Sequence, residues 1–424
     1  MFRRWCLLAL GLVAATSFGE SLRTGAAALD DWRNDAPGVR RKITIADLPA
    51  PNRAESTSND AHVVAAPVGA QLHVPPNFEV TQIAAGLRDP RFLVCAPNGD
   101  LFIAESRANQ IKVAPGSGDA ITVFAARELN KPFGLAFYPP GDNPQYLYVA
   151  NTDGVIRFPY RKGDRVARGP AEKLGVALSP GGLLHGGGHW TRALVFSPDG
   201  SKMYVSIGSR SNVSDDGAEA DRARIFEFNP DGSGRKVYAW GIRNAVGIAF
   251  RPGTRDLWMS VNERDELGEN LVPDYVSRVT PGGFYGWPWF YLGAHQDPRH
   301  AGKHPELAER VIVPDVLLQS HSAPLNLCFY NGTQFPAEYR GDIFVALHGS
   351  WNRRRRTGYK IIRVPLDHES GKAKGECEDF VTGFVTPEGD VWGRPVGIAV
   401  GKDGSLFFSE DAHGTIWRVR AKAR

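Results

Sequence analysis

Five segments of this chain set groups capable of chemistry beside turn-forming glycines. In LLHGGGHW three glycines let backbone come close to a bound molecule, and His189 follows them. Imidazole titrates near neutrality, so His189 can take the proton of an alcohol being oxidised. A structural or surface histidine is the competing reading. In GIRNAVGIAF, Arg243 and Asn244 stand just before an apolar strand pattern. A guanidinium can donate two parallel hydrogen bonds to a carboxylate or a quinone oxygen, although an arginine bridging two loops has the same sequence.

The third segment begins at Val261 and offers Asn262, Glu263, Asp265, Glu266, Glu269 and Asn270 in quick succession. Oxygen-only ligands of this kind suit Ca²⁺, but the spacing fits no EF-hand loop, and a solvated acidic turn would look alike. The fourth, ALHGSWNRRRRTGYK, places His348, Trp351, Asn352 and Arg353 after the strand pattern IFVAL. Its run Arg353 to Arg356 is either an anion site or a solvated loop. The fifth is Arg394, which precedes the apolar pattern PVGIAV much as Arg243 precedes AVGIAF.

These residues must be carried by a repeat. Six segments share a small or turn-forming entry, an apolar triplet, a Gly/Pro/Asp turn and a second apolar strand. They begin at Arg91, Pro132, Thr191, Ala245, Pro324 and Arg394, and third strands follow in NQIKV, DGVIRF, ARIFEF, DYVSRVT, YKIIRVP and GTIWRV. A three-stranded meander cannot bury both faces alone, whereas stacking six around an axis can. The expectation is an all-β, six-bladed β-propeller spanning 77–424, with long loops inserted in blades three to five. His189, Arg243, Asn244 and Arg394 then fall at the same end of different blades, which predicts a basic, imidazole-bearing mouth on the axis.

The rest of the chain bounds the answer. Of 424 residues, 42% are hydrophobic and 23% charged, as in a globular protein, and 47 Gly with 30 Pro favour many short strands. A net charge of +4 over this length excludes a nucleic-acid binder of the usual basic kind. Arg3 and Arg4 followed by the uncharged run Trp5 to Ala15 read as a signal peptide over 1–19, which implies export to the periplasm or medium. That run is too short to span a bilayer, and no later stretch is apolar enough, so no membrane span is expected in the mature chain. Residues 20–76 lack periodicity and read as an extended N-terminal arm. Beyond Cys6, three cysteines (Cys95, Cys328 and Cys377) allow one disulfide at most. With no CxxCH for a covalent haem, a redox enzyme built on this chain needs an external electron acceptor, a cytochrome or quinone.

The motifs HWTRALVFSPDGSKMYVSIGS, GIRNAVGIAF, VNERDELGENLVPDYV, FYGWP, LHGSWNR and GRPVGIAVGKDG together resemble the pyrroloquinoline-quinone-dependent sugar dehydrogenases, the L-sorbosone dehydrogenase branch in particular. The resemblance covers nearly all of the chain after Leu72. It implies oxidation of a sugar hydroxyl or aldehyde hydrate, with pyrroloquinoline quinone and Ca²⁺ as cofactors. It gives His189 the part of general base, and Arg243, Asn244 and Arg394 contacts to the quinone. His348 stands where glucose-oxidising relatives carry a lysine, Val396 where they carry a second arginine, and Asn130 nearest to their glutamine. Trp351 joins this cofactor-binding set, and the stretch Asn262, Glu263, Arg264 and Asp265 falls where their calcium is held. A non-catalytic sugar- or protein-binding propeller and a Ca²⁺-dependent lactone hydrolase are the alternatives.

Overall fold

The inner-strand patterns PFGLAF, AVGIAF and PVGIAV each carry a glycine, and packing between neighbouring blades explains it. In the computed structural model, which describes residues 22–181 and 188–422, a Cβ on Gly247 would lie 2.6 Å from the Leu325 carbonyl oxygen of the next blade. One on Gly134 would lie 2.6 Å from the Leu194 nitrogen, and one on Gly397 3.2 Å from the Leu93 nitrogen. Only glycine lets successive inner strands approach this closely. Serine hydroxyls fasten the same seams. Ser106, Ser206, Ser260 and Ser409 donate to the carbonyls of Pro132, Ala245, Leu325 and Pro90 at 2.5–2.8 Å, each reaching the following blade.

Six blades of four antiparallel strands result; five stand as four-stranded sheets, and the arm strands Arg40–Arg41 and Leu22–Arg23 extend the sheet of blade five to six strands. Their inner strands are Pro90–Cys95, Leu135–Tyr138, Leu194–Phe196, Ala245–Phe250, Pro324–Phe329 and Pro395–Val400. Second strands such as Leu101–Glu105, Met203–Ile207, Leu257–Val261 and Ile343–Leu347 are buried at every position, being covered by a blade on either side. Third strands alternate, as in Gln110–Ala114, where only Ile111 and Val113 are buried. The ring closes between the chain's two ends: Phe78–Ala84 pairs with Thr415–Ala421, Val80 opposite Val419, and completes the sixth blade.

The expected propeller and its insertions are therefore present. The long loops are 208–223 in blade three, 262–274 and 279–315 in blade four, and 348–359 in blade five. Residues 279–315 fold back on the blade-three loop, where Trp287 Nε1 donates to the Asn212 carbonyl at 2.9 Å. What the repeat pattern did not give was a fourth strand per blade: Lys236–Trp240 and Glu172–Ala177 are half-exposed edges with a weak apolar signal.

From Leu22 onward the arm is docked on blade five. Arg40 and Arg41 pair with Glu378 and Cys377, covering an otherwise open sheet edge. Arg41 is buried with ion-pair partners Asp379 (2.7 Å), Asp35 (2.9 Å) and Asp30 (3.1 Å), and Lys360 reaches Asp35 and Asp379. Cys95, Cys328 and Cys377 are all free thiols. The segment 1–19 expected to be a signal peptide, and residues 183–187 of LLHGGGHW, lie outside the described residues. No helix among the described residues is long and apolar enough to cross a membrane.

Candidate functional site

Because each blade runs as an up-and-down meander, the starts of inner strands and the ends of second strands share one face. Just below that face every blade sends one apolar side chain to the axis. Phe92, Phe133, Trp190, Val246, Leu325 and Val396 pack there as a single cluster. Val396 belongs to this ring, so the position that carries an arginine in the glucose-oxidising relatives here completes an apolar floor. Polar residues one to three positions before members of this ring, Arg91, His189, Arg243, Asn244 and Arg394, stand at the mouth above it.

His189 is fixed in that mouth by blade three. Its Nδ1 lies 2.8 Å from the Ser209 carbonyl oxygen, which can only accept, so Nδ1 carries the proton and Nε2 keeps a lone pair. Arg192 and Arg222 donate to the His189 carbonyl at 2.9 and 2.6 Å and hold the backbone. Gly208 allows this approach, since a side chain there would run into Asn244 and His189. Burial, and after it the nearby Arg243 and Arg222 charges, push the His189 imidazole down to about 3, so it is neutral at physiological pH.

Arg243 is buried and directs its donors into the surrounding loops. Nε meets the Asn212 carbonyl (3.2 Å), Nη1 the Glu263 carbonyl (2.7 Å), and Nη2 both Asn212 Oδ1 (3.2 Å) and Asp265 Oδ2 (3.0 Å). It thus ties the loops of blades three and four into one wall. Although burial raises the Asp265 carboxyl, Arg243 and then His321 hold it well below the usual carboxylate range. Neighbouring Asn244 keeps a buried Oδ1, packed against Gly208, with no hydrogen-bond partner among the described residues.

Across the mouth, Asp411 gathers a corner of cations. Its carboxylate is 2.9 Å from Arg394 Nε and 3.1 Å from His348 Nε2, and it pairs with Arg91. Burial raises this carboxyl, but His348, Arg91 and Arg394 outweigh it and hold Asp411 ionised. Burial pushes the His348 imidazole down, with Arg394 and Arg91 adding to it against Asp411. The Arg91 guanidinium carbon sits 5.5 Å from the centre of the Trp190 ring, beside His189. Arg91 and Asp411 were not singled out in the sequence. Aligning the repeats on their second strands would have found Asp411, which follows Glu410 as His348 follows Leu347 and Asn262 follows Val261.

The remaining predicted residues scatter. Asn130 is exposed and bonded to Asp153 at 2.8 Å, and Trp351 is 50% exposed. Asn352 donates to Asp265 Oδ1 at 2.6 Å. The four side chains expected at calcium take separate partners: Asn262 the Pro324 carbonyl, Glu263 the Arg264 amide, Arg264 Asp297, and Asp265 Arg243. Among the described residues no three His, Cys, Asp or Glu side chains converge as a metal site. The carbonyls of Asn262 and Glu263 face the Arg243 guanidinium instead, so the residues as placed do not form a calcium cage. Arg353 to Arg356 also leave the mouth. Arg353 binds Asn270 and the Leu29 carbonyl, and Arg356 the carbonyls of Asn59, Asp60 and Gly389, so this run fastens the arm. A separate cavity of about 600 Å³ beneath the arm, lined by Trp32, Tyr359, Phe384 and Trp392, contains none of the predicted residues.

By fold this is a closed six-bladed propeller, with Arg91, Arg394 and His348 gathered around Asp411 at one end of its axis. The chain belongs to the TrAA12-like family, whose model matches residues 72–283 and 294–422. It is 29% identical over 414 residues to a pyrroloquinoline quinone-dependent pyranose dehydrogenase of Coprinopsis cinerea, covering 82% of this chain and 54% of that protein, about half its length. It is 23% identical over 433 residues to a pyrroloquinoline quinone-dependent sugar dehydrogenase of Hypocrea jecorina, covering 87% and 92%. Among solved structures, the calcium structure of the Trichoderma reesei carbohydrate-active enzyme family AA12 superposes with a TM-score of 0.70 at 19% identity, over 86% of this chain and 99% of that one.

Proposed function

We propose that this protein is a quinoprotein dehydrogenase that oxidises a sugar hydroxyl or aldehyde hydrate. The observation that carries the reading is a neutral His189 whose Nε2 has no hydrogen-bond partner among the described residues, held by Ser209 in the same mouth as the guanidiniums of Arg91 and Arg394, which gather with His348 around Asp411. The sequence relatives named for this activity support it.

The residues present fit pyrroloquinoline quinone. It carries three carboxylates, which Arg394 and the rest of the Asp411 corner can receive, and the buried Asn244 Oδ1 offers an acceptor. Bound there, the quinone supplies a two-electron acceptor for the substrate hydride. His189 Nε2 takes the hydroxyl proton as the carbon–hydrogen bond gives up its electron pair, and the Ser209 carbonyl stabilises the imidazolium through Nδ1–H. Arg243 keeps the mouth's wall in place, and the apolar ring beneath closes the axis to water. No step calls on calcium, for which the side chains are not arranged.

The finer assignments belong to this proposal: a sorbosone-like or aldose substrate, passage of electrons to a separate cytochrome or quinone, and export directed by residues 1–19. The deciding experiment reconstitutes the purified protein with pyrroloquinoline quinone, with and without Ca²⁺, and follows dye reduction across a panel of aldoses, sorbosone and pyranoses. Quinone-dependent reduction establishes the dehydrogenase. Absence of quinone binding returns the propeller to the binding or lactone-hydrolysing alternatives.

A further inference from the structure

Two positions by which the quinone could lose positive charge, His348 and Val396, raise the question of what else holds its carboxylates. Arg353 does not, since its guanidinium lies 2.9 Å from Asn270 and 3.2 Å from the Leu29 carbonyl, under the arm. Arg91 stands differently. It is the second residue of the innermost strand of blade one, at the same end as Arg243 and Arg394, and its side chain is 12% exposed. A single carboxylate, Asp411, serves both Arg91 and Arg394 as well as His348. Two guanidiniums offer ten N–H donors, far more than two oxygens can accept, and Arg91 Nε is buried without a hydrogen-bond partner among the described residues. Counting the permanent charges alone, Arg91 and Arg394 against Asp411, the corner keeps one positive charge in excess. Trp190 lies against the face of the Arg91 guanidinium and links it to the backbone of His189.

We propose that Arg91 is a cofactor-binding residue: side by side with Arg394 across Asp411, it receives a carboxylate of the quinone. Asp411 is the positioning residue that brings the two guanidiniums together, and Arg91 supplies from blade one the permanent charge that Val396 does not supply from blade six. This rests on the quinone reading above.

The test is direct binding rather than turnover. Quinone-free wild type, Arg91→Gln and a control on the surface, Arg310→Gln, are titrated with pyrroloquinoline quinone and with its trimethyl ester, following quenching of tryptophan fluorescence. Loss of a charge-assisted contact to a carboxylate should weaken the acid roughly 10- to 100-fold in Arg91→Gln and leave the ester unchanged. The control should match wild type for both. Equal affinity of Arg91→Gln and wild type for the acid, or equal losses for acid and ester, overturns the assignment. If Arg91→Gln does not fold, Arg91→Lys keeps the ion pair with Asp411; it must still weaken the acid relative to the ester, and an unchanged ratio overturns the assignment. Failure of wild type to bind the acid at all overturns the quinone reading itself.

Discussion

The Nδ1 of His189 lies 2.8 Å from the carbonyl oxygen of Ser209, and this one contact decides which ring nitrogen is free. The backbone of Ser209 is fixed in turn, because its amide donates to the Arg243 carbonyl at 2.7 Å. The imidazole is therefore oriented by main chain, which cannot rotate away.

Replacing His189 with Ala should lower turnover of the quinone-loaded protein by roughly 10²–10⁴-fold while quinone affinity stays within a few-fold. Because burial brings this imidazole down to about 3, the wild-type rate should show no acid limb near pH 6.5, falling only toward pH 3–4. A pH–rate profile that drops with a midpoint near 6.5 would show that burial does not hold this imidazole down, and an unchanged rate in His189→Ala would remove His189 from the part of base.

Glu263 predicts a stability change with pH. Burial pushes its carboxyl up to about 7, from an ordinary value of 4.5. Between these values the unfolded chain gives up the proton and the folded chain keeps it, so stability falls as pH rises from about 4.5 and levels off above about 7. Glu263→Gln can still accept from the Arg264 amide and should be the more stable protein at pH 8, by on the order of 1–3 kcal/mol, but not at pH 4. Asp274, which burial pushes up to about 6, should keep a smaller slope of the same sign in the variant. Urea melts of the quinone-free protein across this range check both.

Gly247→Ala should cost about 1–3 kcal/mol, because the added methyl meets the Leu325 carbonyl and Ser260 Oγ, each at 2.6 Å, at a seam fixed by hydrogen bonds. Gly253→Ala serves as a comparison: nothing lies within 4 Å, and any cost there comes from its positive φ alone. Thermal melts that rank Gly253→Ala as the worse would show that the blades can shift apart.

Arg41→Ala should destabilise by about 3–5 kcal/mol, since the buried Asp35 and Asp379 are then left with Lys360 as their shared cation, and Asp30 with Arg23. The arm should loosen first, so limited proteolysis within residues 42–77 should quicken before global unfolding does. Unchanged cleavage with lowered stability would mean that blade five, rather than the arm, depends on Arg41.

Much of this architecture could be read from residues in a row. Strands covered on both faces are apolar throughout, as in LFIAE and IFVAL, and strands covered on one face alternate, as in NQIKV, so six meanders and their ring were legible. The glycine in three of the inner strands, PFGLAF, AVGIAF and PVGIAV, was visible too, and His189, Arg243, Asn244, His348 and Arg394 were found because each flanks an apolar strand pattern. The chain's own order could not show that Phe78–Ala84 closes the sixth blade, nor that Arg353, Arg355 and Arg356 turn away to hold the arm. Nor could it show that Arg91 meets Asp411, 320 residues distant. Burial patterns depend on the nearest strands and repeat locally, so they are written in short stretches of sequence. Charges act through space at a few ångströms, and here only the closing of the ring brings them that near.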